Sequence, residues 1–347
     1  MKPVHGPPAE SLAGGGKVTV IESGVQTIEQ TGYERPGEGE FGKKASAALK
    51  AMLLAGAILA YPAAVVGSHT INDTPLPEAA FTNGWASLDS YVANRMILNE
   101  VNGAGWAADR AVWRPEARLT ALPAWQQGVA GSLSDHFMTK AGFAKVGDEP
   151  DPDLSAAARL LRDTARMDMT PRLQAAAEAL SRYNGRLQNG AAAQANGAAA
   201  LREQLKLSAQ WAATSKAELS ALVGDDEGWP AGRASVEAYY IAKARAHVAA
   251  ELLAAAGREN RALLDDEALQ SAHDRALAHW RRAGDQAPVF VFNQAGDSLF
   301  GGNHLAAMAF MIDAAEASTL AYSDLLGVAI KKSAADANDL AMLQPSP

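Results

Sequence analysis

The sequence predicts an all-α protein in which a single transmembrane helix is followed by a multi-helix extracytoplasmic domain. Three observations carry that expectation. Residues 51–67 form a run of seventeen without a charge. Apolar side chains then recur at three- and four-residue spacing from Trp85 to Leu325, the mark of helices with one buried face. Alanine supplies much of the apolar content while aromatics are only 6% of the chain, and alanine is the best helix former. The only strand-like run is Val289-Phe290-Val291-Phe292, so at most one short β segment is expected, near 289–292.

Residues 1–42 are rich in Gly, Pro and Glu, as in HGPPAESLAGGGK and ERPGEGEFGKK. This is the composition of a disordered tail. A transmembrane signal anchor is expected over 43–68. Counting back from Ala51 to Ala45 adds six residues interrupted once, by Lys50, and a lysine near the end of a span can snorkel to the interface. Roughly 17–25 apolar residues cross a bilayer core, so membrane contact is expected through 45–67. Arg35, Lys43, Lys44 and Lys50 all precede the run, and no Lys or Arg occurs between Gly67 and Arg95. The positive-inside rule therefore places the amino terminus in the cytoplasm and the main domain on the far side.

A buried alanine-rich helix and a cleaved signal peptide ending at Val65-Val66-Gly67 are the alternatives. The basic flank disfavours the first, and the long region ahead of the run is unlike a compact signal n-region. Pro62 is expected to kink the helix or mark its late part. Residues 69–84, with Pro, Asn and Asp, read as a linker.

The helical domain is expected over 85–330. Leu88, Tyr91, Val92 and Met96 form one stripe behind Ser87, a good N-cap, and Trp125, Val129, Leu133 and Phe137 form the next. DPDLSAAARLLRDTARM opens on capping aspartates, and Thr170-Pro171 predicts an N-cap and first-turn proline. Beyond them a long pattern runs through Leu219, weakened by Gly185, Gly190 and Gly197, and leaves one bent helix or two open. Further helices are expected at about 233–256 and 266–283, stopped by Gly257 and Gly284, and a last one capped by Asn303. A flexible C-terminal tail is expected over 331–347.

The net charge is −8 and no basic stripe is present, which argues against nucleic acid as a partner. The absence of cysteine excludes disulfides, thiolate metal sites and cysteine nucleophiles. His273 and His279 are six apart and Asp135-His136 adjacent, so neither pair converges as metal ligands must. No metal and no cofactor is expected.

Gly296-Asp297-Ser298-Leu299 carries the four letters of a lipase and esterase family. A serine nucleophile needs a histidine base oriented by a carboxylate. Only 49 residues follow Ser298, none of the seven histidines has an aspartate three positions before it, and no βαβ alternation is present. The motif reads instead as a turn ahead of the last helix, and no catalytic residue is assigned. Trp85, Trp106, Trp113 and Trp125 fall within 41 residues; core packing accounts for them, and an aromatic groove or a membrane-surface belt is the functional alternative.

Three blocks, NGWASLDSYVANRMILNEVNGAGWAADRAVWRPEARLTALPAWQQGVAGSLSDHF, DPDLSAAARLLR and AGDSLFGGNHLAAMAF, together resemble the bacterial domain-of-unknown-function family 2333 over roughly 80–330. The chain departs from the family pattern at Gly301-Gly302, where a proline commonly precedes the asparagine. The resemblance implies a protein anchored in the bacterial inner membrane with its main domain in the periplasm, and carries over no activity. Residues and resemblance together favour a non-catalytic binding or scaffold module of the envelope, with other envelope proteins as partners. Two alternatives stay open: an envelope hydrolase with an interhelical site around Asp297, Ser298, Asn303 and His304, and an accessory subunit of a larger inner-membrane complex. Candidate binding residues are the four tryptophans with Asp297, Ser298, Asn303 and His304.

Overall fold

The computed structural model describes residues 40–67, 71–77, 84–103, 105–111, 113–114, 120–145, 147–162, 168–223, 231–295 and 302–342. In the two terminal helices, side chains are described for 46–56, 58–60 and 304–335. The expected disordered tail over 1–39 and the candidate residues Asp297 and Ser298 lie outside the described residues.

Among the described residues the fold is helical throughout, with nine α-helices. They are α1 (Glu40–Gly67), α2 (Leu88–Asn102), α3 (Ala121–Ala141), α4 (Pro152–Leu161), α5 (Met169–Gln188), α6 (Ala198–Leu222), α7 (Arg233–Glu259), α8 (Glu267–Gly284) and α9 (His304–Met342). The pattern left open after Thr170 is two helices: Gly190 and Gly197, with φ of 69° and 91°, turn the chain between α5 and α6. Where a tail was expected after Lys331, α9 continues to Met342. The run at 289–292 forms no strand. Phe292 instead exchanges hydrogen bonds with the start of α9, which satisfies its backbone without a partner strand.

Helix α1 carries the uncharged run of residues 51–67. Its backbone is helical across position 62 as far as Gly67, and Leu49, Met52, Leu53, Leu54, Ile58 and Leu59 are each more than half exposed. Among the described residues no helix is long and apolar enough to cross a membrane, and the α1 side chains at 61–67 lie outside them.

In the helical domain, α7 is the axis, packing against α2, α3, α6, α8 and α9. Its buried residues include all-round alanines and even Lys243, His247 and Glu251, as expected of a central helix rather than an amphipathic one. Helices α4 and α5 lie outside α3 and α2, and α9 closes the other side against α6 and α8. Residues 71–77 dock along α7: Asp73 pairs with Lys243 at 2.7 Å and the Leu76 N–H donates to Glu251 at 3.2 Å.

Small residues set how closely these helices cross. A Cβ at Gly128 would fall 2.6 Å from the Ala244 Cβ of α7, whereas one at Gly131, a turn later on α3, meets nothing within 4 Å. Gly128→Val is expected to lose roughly 1–3 kcal/mol by overpacking, while Gly131→Ala gains roughly 0.5–1 kcal/mol from helix propensity. Urea denaturation midpoints check both; equal midpoints for the two variants would refute the contrast.

Four caps are local, as their residue types predict. Ser87 accepts from the Ser90 N–H, Asp151 from Asp153 and Leu154, Asp266 from Ala268 and Leu269, and Asn303 from Ala306. At α5 the expectation fails. The helix starts at Met169, and its cap is Asp109, sixty residues earlier, which accepts from the Met169 and Thr170 N–H groups and the Thr170 hydroxyl. Burial pushes the Asp109 carboxyl up, but the hydrogen bonds together outweigh it and hold the group below its ordinary value.

Candidate functional site

The sequence directs attention first to the start of α9. Asn303 caps it and donates from Nδ2 to Asn293 Oδ1 at 3.0 Å and Gln294 O at 2.8 Å. His304 Nδ1 accepts the Phe292 N–H at 3.0 Å, while the His304 N–H donates to Phe292 O at 2.9 Å. An Nδ1 that accepts leaves the ring proton on Nε2, and burial lowers the pKa of the ring. In this arrangement His304 ties the 292 segment to α9, and the lone pair a base would use is already engaged.

The four tryptophans have different surroundings. Trp125 and Trp106 are buried. Trp125 Nε1 donates to Glu100 at 2.8 Å, and the neighbouring Gln126 bridges Glu100 to the Gly105 carbonyl. Burial raises the Glu100 carboxyl, its two side-chain donors opposing. Trp85 packs on Tyr91 with ring centroids 5.6 Å apart. Trp113 is 68% exposed, with the Arg114 guanidinium 5.6 Å from its ring centroid. Two of the four are therefore core, and the exposed one stands on a surface turn.

A different cluster, from three helices, gathers the strongest electrostatics among the described residues. The first turn of α2 supplies Asp89, α3 supplies His136 and Lys140 one turn apart, and the last residue of α7 supplies Glu259. All four side chains are buried. Asp89 Oδ2 sits between His136 Nε2, at 3.1 Å, and the Lys140 ammonium, which donates to it. Asp89 Oδ1 accepts from the Ser87 hydroxyl at 2.5 Å. Glu259 lies 3.8 Å from Lys140 and accepts from the Leu88 N–H and, at 3.4 Å, the Asp89 N–H. A glutamate more than 170 residues away thus shares the capping of α2 with Ser87.

Burial pushes the Asp89 carboxyl up, but the Lys140 ammonium and His136 reverse this and hold it far below the usual range. Burial disfavours the Lys140 ammonium, yet Asp89 and Glu259 keep it protonated above its ordinary value. Glu259 goes the other way: burial and the Asp89 charge push it up to about 7, against Lys140 and the two backbone donors. Burial lowers the pKa of His136 as well, so it is a neutral donor to Asp89. The cluster is then one carboxylate and one ammonium, plus a second carboxyl that exchanges its proton near neutrality.

Beside it lies a cavity of about 20 Å³ lined by His136, Lys140, Gln204, Glu259 and Asn260 among others. That is room for about one water molecule. Glu259 can take up and release a proton beside that space, but the cavity has no room for anything of substrate size. Among the described residues no group of three or more His, Asp or Glu is placed to hold a metal ion.

One sequence signal for this cluster existed. Residues three and four apart share a helix face, so the spacing that makes Leu133 and Phe137 core also carries His136 and Lys140 inward. No signal foretold Glu259, whose partners are set by tertiary packing. No family model matches this chain, and neither a curated protein nor a solved structure does.

Proposed function

We propose that this chain is a binding or scaffold module of the bacterial envelope, anchored in the inner membrane by α1, with its helical domain in the periplasm and other envelope proteins as partners. The observation that carries the reading is the distribution of apolar side chains on α1. At about 100° per residue, Leu49, Met52, Leu53, Leu54, Ile58 and Leu59 point all around the axis, and each is more than half exposed. A helix apolar on every side is one that a core or a bilayer covers. At about 1.5 Å per residue, the 23 residues from Ala45 to Gly67 extend about 35 Å, against a hydrocarbon core of about 30 Å. The basic amino-side flank orients the segment, and the resemblance to family 2333 agrees with such an anchor.

The test is fractionation of cells expressing the full chain. It is expected in the membrane pellet and to resist alkaline carbonate extraction. Leu54→Arg combined with Ile58→Arg, each costing roughly 2.5–3.5 kcal/mol near a span centre, is expected to move it to the soluble fraction. Protease added from the periplasmic side is expected to cut the helical domain of the wild type. A wild-type chain found wholly in the cytosolic fraction would falsify the anchor.

A further inference from the structure

We infer that a cavity between α3, α6 and α7 is a binding site for a small zwitterion, an α-amino acid or a short peptide with both ends free. The cavity measures about 280 Å³ and is walled by Gly131, Ser132 and Asp135 of α3, Arg162 just after α4, Glu218 of α6 and Arg245 of α7. That volume is near the lower end of small-molecule sites, roughly 300–1,000 Å³.

Two independent features mark it as a place for a ligand. Ser132 is 3% exposed, and its hydroxyl is buried without a hydrogen-bond partner. An orphaned hydroxyl costs free energy that a ligand group can return. Gly131 is the second. It sits in the middle of a regular helix, where glycine is unfavourable, yet its φ is not positive and no atom lies within 4 Å of where its Cβ would be. Neither backbone nor packing asks for glycine there; what it does is recess the cavity wall.

The charges on that wall select the occupant. Arg162, Arg245, Asp135 and Glu218 all line it, two charges of each sign. A simple anion meets two carboxylates and a simple cation two guanidiniums, whereas a molecule carrying both charges finds a partner for each. Arg245 is already positioned, its Nη1 donating to Ser215 Oγ at 3.0 Å and Glu218 at 2.9 Å, and Asp135 is held by the Trp211 indole N–H at 3.3 Å. The ligand carboxylate goes to the arginines, the ammonium to the carboxylates, and a backbone or side-chain polar group to Ser132.

Isothermal titration of the full chain in mild detergent tests this, with L-alanine and L-alanyl-L-alanine as probes and N-acetyl-L-alanine and L-alaninamide as their singly charged counterparts. The zwitterions are expected to bind, and each blocked compound about tenfold or more weaker, the loss of one charge-assisted contact. Gly131→Leu fills the recess and is expected to abolish binding. Ser132→Ala, which no fold element depends on, is expected to weaken it several-fold while the thermal midpoint stays level or rises. No binding by either zwitterion, equal binding of the blocked compounds, or undiminished binding by a folded Gly131→Leu chain overturns the assignment. The titration reads the same whether or not α1 enters a bilayer.

Discussion

Lys140→Met is expected to destabilise the helical domain by roughly 3–5 kcal/mol, the cost of leaving one member of a buried ion pair without its partner. Asp89 is the group stranded. It keeps His136 and the Ser87 hydroxyl, neither of which supplies a full positive charge. The loss is read as a lower denaturant midpoint with an unchanged slope. Adding Asp89→Asn removes the stranded charge and is expected to restore most of the stability, so the double-mutant cycle returns a coupling of about 2 kcal/mol or more. A single variant within about 1 kcal/mol of the wild type would show that Lys140 does not neutralise Asp89.

The second large effect is a pH dependence centred on Glu259. Its pKa is raised from 4.5 to about 7 in the folded protein, so between those values the folded state binds the extra proton. Stability must then fall as pH rises through that window. The penalty is absent below 4.5 and complete above 7, where it reaches roughly 3 kcal/mol. His247 acts in the opposite sense: burial lowers it from 6.5 to about 4, so its contribution is lost as pH falls through that range. The two must be separated by difference. Glu259→Gln keeps an oxygen for the Leu88 and Asp89 N–H groups and removes the titration. Its stability relative to the wild type is expected to be near zero at pH 5 and to favour the variant by roughly 3 kcal/mol at pH 8. A difference that stays flat across that range would mean Glu259 keeps an ordinary carboxyl pKa inside the fold.

What could be read in the sequence was what is local. The stripe of Leu88, Val92 and Met96 and the caps at Ser87, Asp151 and Asn303 each depend on neighbours within a few positions, whereas the glycines after Thr170 left one bent helix or two open. What escaped depends on residues far apart in the chain. Thr170-Pro171 looked like the start of α5 because its residue types suit that role, but Asp109 brings the carboxylate that accepts from the N-terminal N–H groups, and the helix begins two residues earlier. His304 looked like a possible base because nothing in the sequence shows that the Phe292 N–H lands on its Nδ1. Val289 to Phe292 looked like a strand because it is β-branched and aromatic, yet a strand needs a neighbour and this fold provides none among the described residues.

The capping of α2 by Glu259 and of α5 by Asp109 has a kinetic meaning. A helix end whose first N–H groups are satisfied in part by a residue from another part of the chain cannot complete its hydrogen bonds until that residue arrives. For α2 the wait spans more than 170 residues, from the beginning of the domain to the end of its axial helix. The start of α2 is therefore expected to complete its hydrogen bonds during synthesis only after α7 has emerged. Once settled, they should not open alone: amides at the start of α2 are expected to exchange with solvent only as fast as the end of α7 comes away, as a single cooperative unit.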